Sequence, residues 1–187
     1  MKTVRDVCMY IGSLVGDGAV SIETGCSYIC DPGNEIHTTT NNIYEYINKE
    51  HGIFYSLDID PEHLEFAQKF IEPLRDPHAD VHFMEGDSVA SLTELSKKWS
   101  GKGNGNSIDV LCLDSKEFDE DHMVNEFEAI KSSLNPDKHF VLVDDIHNDN
   151  SVKYKKMVPI LKSLGYSWVE VPTPTGMFVA AKGYALP

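Results

Sequence analysis

The feature that most constrains this chain is a repeated alternation, in which short apolar clusters rich in β-branched residues are each followed by a helix-length amphipathic stretch. Parallel strands need a crossover between them, and a helix laid on the sheet is the usual one. The alternation therefore predicts a parallel sheet covered by helices on both faces. Strands are expected at about 18–23, 53–58, 80–84, 108–113 and 139–144, with helices at about 38–49, 61–73, 89–99, 121–134 and 151–163. Pro61 suits a first helical turn, and Asp87 or Ser88 can cap the third helix.

After the last helix the pattern changes. Tyr166 to Val171 and Met177 to Lys182 are strand-like runs joined by Pro172, Thr173, Pro174, Thr175 and Gly176, which predicts a terminal hairpin. A run of β-α units closed by a hairpin differs from the six parallel strands of a dinucleotide-binding sheet. GxGxxG is also absent after the first strand, so a nucleotide-dependent dehydrogenase is disfavoured. Residues 100–107 (Ser-Gly-Lys-Gly-Asn-Gly-Asn-Ser) are expected to form a surface connection, and 187 residues suit one domain spanning 1–187.

Thirty acids against 16 Lys and Arg leave a formal charge of -14, which repels a phosphate backbone. Nucleic acid is an unsuitable partner, whereas a small-molecule acceptor is compatible with that charge. The four cysteines, Cys8, Cys26, Cys30 and Cys112, show no CxxC spacing and are expected to be free thiols in a reducing compartment. No basic patch precedes an apolar leader, and no apolar run approaches the roughly eighteen residues of a membrane span. The expectation is a soluble cytoplasmic protein without a membrane partner; assembly into a homo-oligomer is left open.

The candidate site is written at the strand ends. In an open α/β sheet, ligands sit where loops leave the carboxyl ends of the strands at the point of reversed order. The first strand runs into Glu23, Thr24 and Gly25, where Glu23 can accept hydrogen bonds from an ammonium group and Gly25 permits close approach of the backbone. The second ends in Asp58, an acid suited to holding two ribose hydroxyls, followed by Asp60 and Pro61, where Asp60 is the plainer helix cap. Glu85, Gly86, Asp87 and Ser88 place acceptors where an adenine amino group can donate, while Asp87 can equally cap the helix.

Asp114 ends the fourth strand, and Asp144 and Asp145 end the fifth, with His147 and Asn148 close behind. Three carboxylates brought to one point repel unless protonated or neutralised. A hard divalent cation, Mg²⁺ for preference, is one resolution, and helix capping by one or two of the acids is the other reading. His147 is either a base at neutral pH or a surface histidine, and Lys116 is the other group able to steer a proton. The remaining histidines show no zinc spacing. Asp119, Glu120 and Asp121 suit a solvated helix start, and Trp99 and Trp168 suit packing.

The series Ser-Ile-Glu-Thr-Gly, Tyr-Ser-Leu-Asp-Ile-Asp-Pro-Glu, Glu-Gly-Asp-Ser, Leu-Cys-Leu-Asp-Ser and Val-Leu-Val-Asp-Asp-Ile-His resembles the class I S-adenosylmethionine (SAM)-dependent methyltransferases, from about Gly18 to Lys182. The resemblance implies an α/β fold: a Rossmann-like, doubly wound, mostly parallel seven-stranded sheet with a C-terminal antiparallel hairpin and helices on both faces. It implies that Glu23 and Gly25 face the methionine part of SAM, Asp58 the ribose, and Asp87 and Ser88 the adenine, with Asp114 beside the cofactor. The compact glycine-rich loop of that family is replaced here by a longer Cys26–His37 segment. Gly33 and the Thr38, Thr39 and Thr40 amides are therefore expected to take over the SAM carboxylate at a helix start. The acidic cluster is similar to that of metal-dependent O-methyltransferases, including catechol O-methyltransferase and the cephalosporin hydroxylase family, which implies Asp114, Asp144 and Asp145 as Mg²⁺ ligands. The implied activity is O-methylation of a small hydroxylated molecule. A metal-independent O- or N-methyltransferase and a non-catalytic SAM-binding module are the alternatives.

Overall fold

A computed structural model describes residues 1–26, 39–48, 51–99 and 107–187. Its strands are β1 (Val20–Thr24), β2 (Ile53–Asp58), β3 (Asp80–Glu85), β4 (Val110–Leu113), β5 (His139–Val143), β6 (Ser167–Val171) and β7 (Met177–Lys182). They form one seven-stranded sheet in the order β3-β2-β1-β4-β5-β7-β6. Pairs among β1 to β5 are parallel, and β7 runs antiparallel to β5 on one side and to β6 on the other. This is the expected mixed sheet with its terminal hairpin. The chain winds outward from β1 to β3, then returns to set β4 and β5 on the other side of β1. The order reverses between β1 and β4, so successive connections leave in opposite directions and open a crevice at the carboxyl ends.

Period-two alternation decides which face each side chain joins. Leu111 and Leu113 of β4, with Val141 and Val143 of β5, pack on the face covered by α4 (Ser88–Trp99), α5 (His122–Ile130) and α6 (Tyr154–Ser163). Val110, Cys112, Phe140 and Leu142 point the other way, toward α1 (Val4–Val15) and α2 (Thr39–Ile43), which continues as a π-helical turn over Tyr44–Asn48. On that second face β1 contributes polar groups. Ser21 bonds Asn48, and Glu23 lies in register with Ser56 of β2 and Cys112 of β4. Trp99 is buried in the core and Trp168 stacks on Phe178, so both act in packing. Cys8, Cys26 and Cys112 are free and buried; Cys30 lies outside the described residues. None of the described helices is long and apolar enough to cross a membrane.

Helix α3 (Pro61–Ile71) starts as expected. Asp60 caps it, accepting from the Glu62 amide at 2.9 Å, and Pro61 occupies the first turn, where its missing N–H costs nothing. Helix α1 was not expected. Thr3 and Asp6 form a capping box, each side chain accepting from the other's backbone N–H at 3.1 Å, and Val7, Cys8 and Ile11 form its buried stripe. Thr-x-x-Asp ahead of Val4, Val7, Cys8, Ile11 and Val15 is a legible start signal with helical spacing.

Candidate functional site

The strand ends open into a cavity of about 1410 Å³. That exceeds the few hundred to roughly 1,000 Å³ of a typical small-molecule site and leaves room for a cofactor and an acceptor together. Gly25, Thr39, Asp58, Asp87, Ser88, Asp114, Lys116, Asp144 and Asp145 all lie in its wall. Gly33 and Thr38 fall outside the described residues.

Gly25 sits at the order reversal with φ +76°. A Cβ there would lie 2.4 Å from the carbonyl oxygen of Asp114, so the backbone that needs the close approach is that of the β4 exit. Its own N–H donates to Leu57 O at 2.8 Å, locking the β1 exit to β2. Asp58 ends β2 with its carboxylate fixed by backbone donors. Oδ2 accepts from the Cys26 amide at 3.0 Å and Oδ1 from the Asp60 amide at 2.9 Å, with His63 Nδ1 at 3.3 Å. Asp87 caps α4 through the Ala90 amide at 2.9 Å, so the capping role is realised at the cavity wall. Ser88 Oγ lies 3.0 Å from His122 Nε2, and that ring is 3.4 Å from the buried Glu126, whose hydrogen bond raises the His122 pKa. His122 also lines the cavity, although no motif or spacing along the chain singles it out.

Glu23 takes a different place from the one expected. It is 1% exposed, and its Oε1 accepts from Thr40 Oγ1 at 2.6 Å and Ser56 Oγ at 2.7 Å, while Oε2 has no partner among the described residues. It does not appear among the described residues of the cavity wall. Burial pushes its carboxyl up to about 7, against the downward pull of the two hydroxyl donors. The folded chain thus holds this proton more tightly than the unfolded one, so the stabilisation is complete below the unfolded value near 4.5 and is lost as pH rises through about 7. Glu23→Gln should remove that loss. Between pH 4.5 and 8 the variant's unfolding free energy, followed by urea titration, is expected to fall by about 3 kcal/mol less than the parent's. Parallel curves for the two proteins would show that Glu23 is ionised at no cost in the fold.

The expected catalytic pair also separates. His147 is half exposed, its ring packs against Gly176 at the hairpin turn, and its Nε2 is 3.7 Å from Glu170 Oε2. A Cβ on Gly176 would lie 2.5 Å from that ring, and His147 is not among the described cavity residues. The backbone explains this position: the His147 amide donates to Thr175 O at 2.7 Å, carrying the side chain onto the hairpin. Lys116 remains in the wall, with Nζ 2.9 Å from Asp119 Oδ2, and that carboxylate raises its pKa. A lysine held protonated in this way offers charge and donors rather than a base.

The acidic centre forms, with a different membership. Ligand atoms of Asp114, Glu117 and Asp145 lie within 4.8 Å of one another. Asp144 turns aside, its Oδ2 accepting from Thr39 Oγ1 at 3.2 Å and its Oδ1 from the Asp145 amide at 2.9 Å. The three converging acids meet around an ammonium. Lys153 Nζ, fully buried at the edge of α6, is 2.6 Å from Asp114 Oδ1, 2.6 Å from Glu117 Oε1 and 2.9 Å from Asp145 Oδ2. Although burial pushes the lysine pKa down, Asp114 and then its other acidic neighbours raise it above the ordinary value, so it is a cation. These residues do not fit a resident divalent ion: an ion bound to the same oxygens would sit against the ammonium without solvent between them. Of the expected Mg²⁺ set, Asp114 and Asp145 lie in this grouping while Asp144 does not, and Lys153 offsets part of the repulsion among the acids; burial and the neighbouring Asp144 still push the Asp114 carboxyl well up. Sequence reading missed this lysine because a Lys among Ser151, Val152, Tyr154 and Lys155 reads as a solvated helix start.

No family model matches the chain, and no curated protein sequence does. Solved structures match over most of its length. A methyltransferase from Geobacter sulfurreducens superposes with a TM-score of 0.62 at 11% identity, over 96% of this chain and 75% of that one. An O-methyltransferase from Bacillus cereus in complex with SAH gives 0.60 at 13%, over 95% and 77%. Aeropyrum pernix fibrillarin with bound S-adenosyl-L-methionine gives 0.57 at 15%, over 94% and 74%. The architecture is therefore the Rossmann-like methyltransferase fold. Identities this low establish the fold, and what the site binds has to be argued from its residues.

Proposed function

We propose that the chain is a SAM-dependent methyltransferase acting on a hydroxyl of a small molecule. The observation that carries this reading is the placement of Asp58. Its carboxylate is pinned by two backbone amides at the end of β2, facing a cavity that opens at the β1/β4 reversal. A rigid acceptor there suits a pair of ribose hydroxyls. Asp87 and Ser88 at the β3 exit offer adenine an acceptor edge. Neighbours of the same fold crystallised with SAH or SAM support the choice of ligand.

Bound SAM supplies a methyl group activated by a sulfonium charge. The protein's part is positioning: Asp58 and the Asp87–Ser88 turn hold the nucleoside, while Thr39, Lys116 and Asp144 shape the remaining volume for an acceptor. Lys116, protonated and paired with Asp119, can orient an acceptor oxygen. Exposed Ile59 and Phe118 give the cavity an apolar rim suited to an organic acceptor. Magnesium assistance, the finer form of this reading, has the acidic grouping in its favour and the buried ammonium against it, and we assign no step to an ion.

Calorimetric titration of the folded protein with SAM, and with SAH as product, is the direct test. One site per chain is expected, with turnover on a panel of catechols and other diols that persists in chelator. A folded sample with no affinity for either nucleoside removes the proposal. SAM binding without turnover on any acceptor would instead favour a regulatory binding module.

A further inference from the structure

We propose that Lys153 is the resident cation of the acidic centre at the ends of β4 and β5, its single ammonium occupying the position among the carboxylates that a divalent ion would otherwise take. This goes beyond the methyl-transfer reading and does not depend on it, because it concerns which cation sits among the carboxylates rather than what the cavity binds.

An ammonium has three protons to donate, and here three carboxylates from three different segments each present one oxygen. Asp114 comes from the β4 exit, Glu117 from the loop that follows, and Asp145 from the β5 exit, at 2.6, 2.6 and 2.9 Å. The Asp114 carbonyl adds a longer contact at 3.3 Å. The match of donors to acceptors is complete, and the lysine has no solvent exposure, so no water competes for those protons. A hard divalent ion needs about six oxygen ligands at a little over 2 Å. Drawing these three oxygens onto such an ion would require the ammonium to leave a fully enclosed position. Independent support comes from the backbone. Asp145 adopts φ +61°, in the left-handed region that non-glycine residues seldom occupy, and in that conformation its side chain meets Lys153. Lys153 itself does not line the cavity, whereas Asp114, Glu117 and Asp145 do. Its role is positional: it holds three wall carboxylates in one arrangement.

The test needs no nucleoside. Protein stripped with chelator is titrated with Mn²⁺ and followed by electron paramagnetic resonance, and its unfolding temperature is compared in chelator and in excess Mg²⁺. The wild type is expected to take up no stoichiometric Mn²⁺ and to unfold at the same temperature in both. Lys153→Ala, which empties the position and leaves the carboxylates, is expected to bind one Mn²⁺ per chain and to unfold at a higher temperature with either ion. Adding Asp145→Asn to that variant should abolish the gain. One Mn²⁺ bound by the wild type and lost in Asp145→Asn overturns the proposal, as does a Lys153→Ala protein blind to both ions. Should Lys153→Ala not fold, Lys153→Met and Lys153→Met with Asp145→Asn are compared by soluble yield and unfolding temperature. Recovery in the double variant is expected, and its absence counts against the lysine as the neutralising charge.

Discussion

Asp58→Ala is expected to weaken SAM binding by roughly a hundredfold or more, with the protein still folded. Hydrogen bonds to a charged acceptor contribute about 1.5–3 kcal/mol each, and this carboxylate is suited to accept from two ribose hydroxyls. Both of its oxygens are already oriented by backbone donors, Cys26 N at 3.0 Å and Asp60 N at 2.9 Å. Little ordering therefore remains to be done when a ligand arrives, and most of the interaction appears as affinity. Removing the side chain also frees the Cys26 amide at the start of the Cys26–His37 segment, so some stability is lost as well. Calorimetry and thermal unfolding on the same sample separate the two effects. Asp60→Ala is the control: it removes the α3 cap at a cost of about 1 kcal/mol and should leave SAM affinity nearly unchanged. Unaltered affinity in folded Asp58→Ala would falsify the nucleoside assignment.

The second large effect is on the fold. Gly25→Ala should lower the unfolding free energy by about 3–5 kcal/mol, combining an overpacked contact with a left-handed backbone that disfavours a Cβ. The new methyl would fall 2.4 Å from Asp114 O and 2.8 Å from Asp114 C, both backbone atoms of the neighbouring strand exit. The neighbour can yield only by pulling β1 and β4 apart where the sheet reverses. Gly16→Ala separates the two causes, because Gly16 has φ +75° with nothing within 4 Å of its added Cβ. That variant should cost only about 1 kcal/mol. Equal losses at the two glycines, measured by urea denaturation, would show that backbone conformation alone sets the cost and that the β1/β4 approach is soft.

Local chemistry explains why some of the site was legible. Asp58 and Asp60 differ by two positions, yet Asp58 still belongs to the β2 ladder while Asp60 precedes Pro61, so one faces the crevice and the other caps a helix. Thr3 to Val15 carried an equally local signal, a capping box ahead of an apolar stripe, and that helix could have been read from the sequence. His147 could not. Two residues beyond Asp145 it remains adjacent to the acidic centre in sequence, but its backbone pairs with the hairpin and takes the ring away.

The sequence by itself determined the layered sheet, its hairpin and the strand-end positions of Asp58, Asp114 and Asp144, because alternation of apolar runs and the capping preferences of Asp, Thr and Pro act over a few residues. Tertiary structure alone decided how the charges pair. Lys153 meets Asp114 across 39 positions of chain, and Glu23 is buried between Thr40 and Ser56 from separate elements. Electrostatic partnership depends on distance in space and on exclusion of water, and neither is a property of neighbours along a chain.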